Sequence, residues 1–187
     1  MEAYFEATRV RLVLWGRAMG ASGWHYFVPF DSDPQCALAR LRDEVFRAGT
    51  YYAPAKKKKA ASIEALLQLC AESGTHSVLD VNRIVGAPHP PSNKEWMMAL
   101  AAAGRTATPQ EISAQLATQI ACIGTVAPVP ESRLRELCGS ERPTRAALEL
   151  AVFSLFSLCP GGAGLFTTVY DTSGAPSELL FLGKTGD

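Results

Sequence analysis

Thr144-Arg-Ala-Ala-Leu-Glu-Leu-Ala-Val-Phe-Ser-Leu-Phe-Ser-Leu158, then Cys159-Pro-Gly-Gly-Ala-Gly164, then the runs Leu165–Asp171 and Ser177–Gly183, is the stretch that decides the fold. Thr144 supplies a helix cap, and Pro160 with Gly161 and Gly162 stops the helix. Beyond Glu149 only Ser154 and Ser157 interrupt its apolar surface, so the pattern predicts a helix buried on nearly every side. The two runs flank Thr172-Ser-Gly-Ala-Pro176, which reads as a β-hairpin with a five-residue loop. A buried helix beside a hairpin makes a helix-on-sheet layer, the nucleus of an α+β domain.

Working toward the N-terminus, Ser132–Cys138 is a short helix ended by Gly139, and Ser140-Glu-Arg-Pro-Thr144 turns into the central helix. Trp24-His-Tyr-Phe-Val-Pro-Phe30 alternates as a strand, with Pro29 restricting it to an edge or to the strand's end. Asp33 and Pro34 open the next helix as cap and first residue, Ala37, Leu38, Leu41 and Val45 form its stripe, and Gly49 ends it. Ile63, Leu66, Leu67 and Cys70 predict a second helix over 62–73, stopped by Gly74. Thr75-His-Ser-Val-Leu-Asp-Val81 reads as a strand, with Asp80 either on its solvated face, the favoured reading, or a partly buried acid with a partner.

Residues 1–23 form an N-terminal extension in which helix is favoured over strand, since Ala3, Ala7, Val10 and Leu14 share a helical face. Residues 83–130 read as a helical insertion. It holds the proline-rich loop 86–92, a short helix at Trp96–Ala103, a helix opened by Thr108-Pro-Gln-Glu111 with capping-box spacing, and the closing Ala127-Pro-Val-Pro130. The expected architecture is therefore a single α+β domain. Its mostly antiparallel sheet of Trp24–Phe30, His76–Val81 and the C-terminal hairpin is covered by helices.

The chain has 187 residues, 48% hydrophobic and 19% charged, with eighteen basic residues against eighteen acidic. That is a globular composition with no global field to draw nucleic acid or an anionic membrane. The five cysteines form no C-x-x-C, and Cys36, Cys70 and Cys138 fall in or beside apolar helical patterns. They read as small buried hydrophobes in a reducing cytoplasm. The longest apolar run near the N-terminus, Leu12–Trp15, is too short for a signal-peptide core, and Ala146–Leu158 is too short to span a bilayer. The expectation is a cytoplasmic protein without a membrane segment.

Few residues carry chemistry in a recognisable pattern. Gly183-Lys-Thr185 lacks both the upstream glycine and the following helix of a phosphate loop. No His or Cys pair has ligand spacing, so neither metal nor cofactor is expected. His76 and Asp80, or a thiol such as Cys138, are the catalytic candidates for a small hydrolase or transferase. Four residues along a regular strand separate His76 from Asp80 by about 13 Å. Lys56, Lys57, Lys58 and Lys59, with Tyr51 and Tyr52 nearby, form a possible grip on a phosphate backbone or on a partner. Trp96, Met97 and Met98 suit an adaptable protein-binding patch.

Four stretches, Trp24–Phe30, Gly74-Thr-His-Ser-Val-Leu-Asp-Val81, Leu137-Cys-Gly-Ser-Glu-Arg-Pro-Thr144 and the hairpin Val169–Gly183, together resemble a family of small uncharacterised bacterial proteins. The resemblance implies a bacterial cytoplasmic protein with one α+β domain, and it implies no activity and no catalytic residue. The leading functional expectation is a protein-binding or regulatory module, either immunity-type or a subunit of an assembly, which leaves self-association open. Enzymatic activity and nucleic-acid binding are the alternatives.

Overall fold

The computed structural model describes residues 23–52 and 60–185. The N-terminal extension and Lys56–Lys59 lie outside the described residues, Gly23 apart. Five strands form one mixed sheet: β1 (Gly23–Pro29), β2 (Arg83–Ile84), β3 (Thr125–Pro128), β4 (Gly164–Tyr170) and β5 (Pro176–Lys184), in the spatial order β1-β5-β4-β3-β2. The β1–β5 and β5–β4 ladders are antiparallel and run the length of the strands, whereas β4–β3 and β3–β2 are parallel and only two or three residues long. The architecture is α+β, as the hairpin and its neighbouring helix imply.

The described residues include six helices, α1 (Pro34–Ala48), α2 (Ile63–Leu69), α3 (Asn93–Ala102), α4 (Pro109–Cys122), α5 (Glu131–Cys138) and α6 (Arg145–Leu158). Strand alternation sorts the core into two halves. Trp24, Tyr26, Val28, Val126, Leu179 and Phe181 face α1, α2 and the turn at 78–80, while Ala127, Leu165, Val169, Leu180 and Leu182 face α5 and α6. Caps fall where side chains supply them. Asp33 accepts from the backbone N–H groups of Gln35 and Cys36, Ser62 from Ala65, and Thr144 from Ala147. The hairpin turn is held by Asp171, whose Oδ1 accepts from the N–H groups of Ser173 and Ala175 and from the Ser173 hydroxyl.

Several expectations need correction. Residues 76–81 are not a strand. Ser77 caps a 3-10 turn at Val78–Asp80, and Asp80 Oδ1 accepts from Thr75 N–H (2.7 Å) and Thr75 Oγ1 (2.8 Å), so side-chain bonds close the loop before a ladder can form. Asp80 is thus a half-buried acid with partners, not a residue on a solvated sheet face. The sheet takes β2 and β3 instead. The insertion at 83–130 is helical in its middle, but strands at both ends make it the crossover that parallel neighbours require. The second helix ends at Leu69, short of residue 73. Cys36 is exposed, unlike the buried Cys70, Cys122 and Cys159. Finally, α6 is not buried all round, since Leu150 and Phe153 remain 87% and 69% exposed. Leu148, Ala151, Val152 and Leu155 are its buried residues.

Candidate functional site

The catalytic candidates do not converge. His76 adopts a left-handed backbone (φ 51°) and meets the Tyr52 ring edge-on at 4.9 Å between centroids. Asp80 is committed to the Thr75 loop, and Cys138 packs with the α5–α6 half of the core, across the sheet from that loop. Burial pushes the Cys138 thiol above its ordinary range. Cys70 lies on Asp80's side, where burial and then the Asp80 charge keep its thiol protonated. His25 sits between the rings of Phe27 and Phe156, and His89 Nε2–H donates to the carbonyl of Gly164 at 3.0 Å. Desolvation lowers both imidazoles, so they stay neutral near pH 7. Among the described residues no three of His, Cys, Asp and Glu come together as a metal site.

The α3–α4 hairpin presents a different kind of site. Both helices begin with complete capping boxes, Ser92 with Glu95 and Thr108 with Glu111, and Arg105 clamps Glu111 from the connecting loop at 2.9 Å. The base of α3 is tied to the body twice: Ser92 Oγ donates to the carbonyl of Ser157 at 2.8 Å, and Arg133 of α5 pairs with Glu95 at 2.5 Å. Helix α4 is held through polar groups. The amide nitrogens of Gln115 and Gln119 both donate to the carbonyl of Pro91 at 3.1 Å, and Gln119 and Cys122 are the buried residues of the helix.

That attachment turns the apolar row of α4 outward. Ile112, Leu116, Ile120 and Ile123 are each 52–57% exposed. At 3.6 residues per turn they occupy about 80° of the helix circumference, roughly a quarter-turn from the Gln119–Cys122 side. Next to their N-terminal end lies an open groove of about 760 Å³, lined among others by Trp96, Met97, Leu100, Arg105 and Ile112. Met97 and Met98 are 57% and 63% exposed and Trp96 is half-buried, so this part of the patch coincides with residues singled out by composition. The sequence contains no charged residue from Ile112 through Pro130, and the apolar row is correspondingly uncharged. Contiguous exposed apolar surface of this kind marks an interaction site more often than a monomer's ordinary exterior.

Sequence reasoning missed Ile112, Leu116, Ile120 and Ile123 as binding residues. The available signal was a helix with no charged residue after Glu111 on any face, since a solvated helix normally carries several. No helix among the described residues is long and apolar enough to cross a membrane. In comparison with known proteins, the chain matches no family model, no curated protein and no solved structure.

Proposed function

We propose that this chain is a protein-binding module whose partner docks on the α3–α4 hairpin. The observation that carries the reading is the orientation of α4: Gln115 and Gln119 face the body while Ile112, Leu116 and Ile120 face solvent. An amphipathic helix in water buries its apolar face unless another surface does so in trans. The groove beside Trp96 and Met97 extends the same face and adds the flexible thioether that adaptable interfaces use. An immunity-type protein or a subunit of an assembly has this design. A bacterial cytoplasmic setting accompanies the reading, supported by the sequence resemblance and by five cysteines that remain free thiols.

The test is affinity capture with the intact chain and with its Leu116→Asp variant, each scored for a stoichiometric co-purifying protein. Leu116 is exposed, so the variant keeps its fold, and its introduced charge removes the partner. Equal capture by both chains, or by neither, defeats the proposal.

A further inference from the structure

The two edges of the sheet are treated differently. On the β2 side the Gln35 side chain stands in for a further strand: its Oε1 accepts from Ile84 N–H at 2.8 Å and its Nε2 donates to the Asn82 carbonyl at 3.1 Å. On the β1 side nothing equivalent occurs among the described residues, where β5 is the partner of β1. Phe30 N–H donates to the carbonyl of Ser177 at 3.2 Å, which fixes the parity of that ladder. Trp24, Tyr26 and Val28 turn their backbone groups to β5, so Gly23, His25 and Phe27 turn theirs outward. An edge of this length normally carries lysine, a bulge or a cover. Gly23–Pro29 holds no lysine and no bulge, and Pro29 removes only its last donor.

A cover is written in the residues directly upstream. Arg9-Val-Arg-Leu-Val-Leu-Trp15 alternates, and residues 16–22, with Gly16 and Gly20, are long enough to return the chain to Gly23. We propose that residues 9–15 add to the outer edge of β1 as an antiparallel strand, with Leu12 opposite Tyr26. That register sets Val10, Leu12 and Leu14 against Val28, Tyr26 and Trp24, whose side chains belong to the α1 half of the core. Arg11 then lies opposite Phe27 on the α6 face, where Arg145 stacks on Phe27 and is shared by two carboxylates, Glu149 and Glu178. Two acids against one base leave a negative charge there for Arg9 and Arg11 to meet. Trp15 falls opposite Gly23, against which the Phe156 ring packs, with the 69% exposed Phe153 ring beside it. A slip of one residue would turn both arginines toward the core, so the charge pattern selects this parity. Ala3, Ala7, Val10 and Leu14 also share a helical face, but a helix leaves the outward backbone groups of β1 bare. This edge shares no residue with the α3–α4 surface, so the two readings stand or fall separately.

Amide hydrogen exchange of the full chain, followed residue by residue by nuclear magnetic resonance, tests it. The amides of His25 and Phe27 should exchange at least about tenfold more slowly than in a free chain, as should those of Arg11 and Val13, while Val10, Leu12 and Leu14 exchange quickly. The Hα protons of Leu12 and Tyr26 should show a direct Overhauser contact, because a non-hydrogen-bonded pair brings its Cα atoms to about 4.5 Å. Val13→Pro removes a donor at the middle of the added ladder. It should speed exchange at His25 and Phe27 by about tenfold or more, while Tyr26 and Val28, which bond to β5, stay protected. If Tyr26 and Val28 lose protection as well, the wild-type pattern and the Hα contact decide. Free-chain exchange at His25 and Phe27 in the wild type overturns the proposal. So does protection there that Val13→Pro leaves intact, or that rises with protein concentration, the mark of a second chain's strand on this edge. An Hα contact between Arg11 and Tyr26 overturns it too.

Discussion

Replacing Gly183 with alanine should unseat the indole of Trp24. The two residues are cross-strand partners on β5 and β1, and Gly183 is also paired with Gly164 of β4. The Trp24 ring lies across both glycines and is 5% exposed. A Cβ at Gly183 meets Trp24 Cζ2 at 2.2 Å and the carbonyl oxygen of Ala163 at 2.8 Å. Carbon atoms rest at about 3.5–4.0 Å, so the indole must retreat by more than about 1 Å inside a close-packed core. Overpacking of this kind costs about 1–3 kcal/mol, and complete expulsion of the ring approaches the roughly 3–5 kcal/mol of a Trp→Ala truncation. The carbonyl belongs to backbone and cannot rotate away, which places the expected loss near 3 kcal/mol, at the top of the overpacking range. For a chain of this length that lowers the melting temperature by about 6–12 °C. Urea unfolding followed by far-ultraviolet circular dichroism measures the loss, and the same substitution in a Trp24→Ala background isolates the ring's share. There the cost should shrink by at least about 1.5 kcal/mol. A loss below about 0.5 kcal/mol, or an equal loss in both backgrounds, refutes the steric argument.

The Tyr26 hydroxyl is buried without a hydrogen-bond partner among the described residues, and burial pushes its pKa up to about 12, so Tyr26→Phe should leave stability unchanged or raise it by up to about 1 kcal/mol. Because the folded pKa exceeds the unfolded value of about 10, the unfolded chain ionises first and stability is lost as pH rises from 10 toward 12; the variant should show a shallower alkaline decline in urea midpoints. His25 and His89 are shifted the other way by desolvation. The unfolded chain therefore binds more protons just below pH 6.5, and stability should fall as pH drops from 6.5 toward their folded values. Replacing both histidines with glutamine should flatten that slope between about pH 7.5 and 5.5, and an unchanged slope excludes them as its source. Cys36 is exposed, but its thiol donates to Asp33 Oδ2 at 3.2 Å, which raises its pKa. Asp33→Asn preserves a capping side chain while removing the charge, so maleimide labelling of Cys36 at pH 8 should speed up several-fold. An unchanged rate shows that the carboxylate does not control the thiol.

Local signals wrote much of this fold in the sequence. Asp33-Pro34 starts α1, Thr108 and Glu111 start α4, and the alternation on either side of 172–176 yields the hairpin, because each depends on neighbours a few residues apart. The failures depend on contacts across the chain. At 75–81 an apolar run resembles a strand, yet Ser77 and Asp80 bond to their own loop and withdraw it from the sheet. Strands β2 and β3 are too short for alternation to register. The site divides in the same way. Trp96, Met97 and Met98 declare themselves by residue type, whereas the outward aspect of α4 follows from two glutamine amides meeting a carbonyl at Pro91, which no spacing rule anticipates.

The pairing of β1 with β5 has a consequence for biosynthesis. Trp24 is seated across Gly183 and Gly164, and β5 is the neighbour of β1 among the described strands. Among the described strands, β1 of a nascent chain therefore has no partner until β5 has emerged from the exit tunnel. Closure over so long a loop makes a slow folder. Through that interval the aromatic face of β1 is open to chaperones, so stalled or C-terminally clipped chains should be the ones that cells clear.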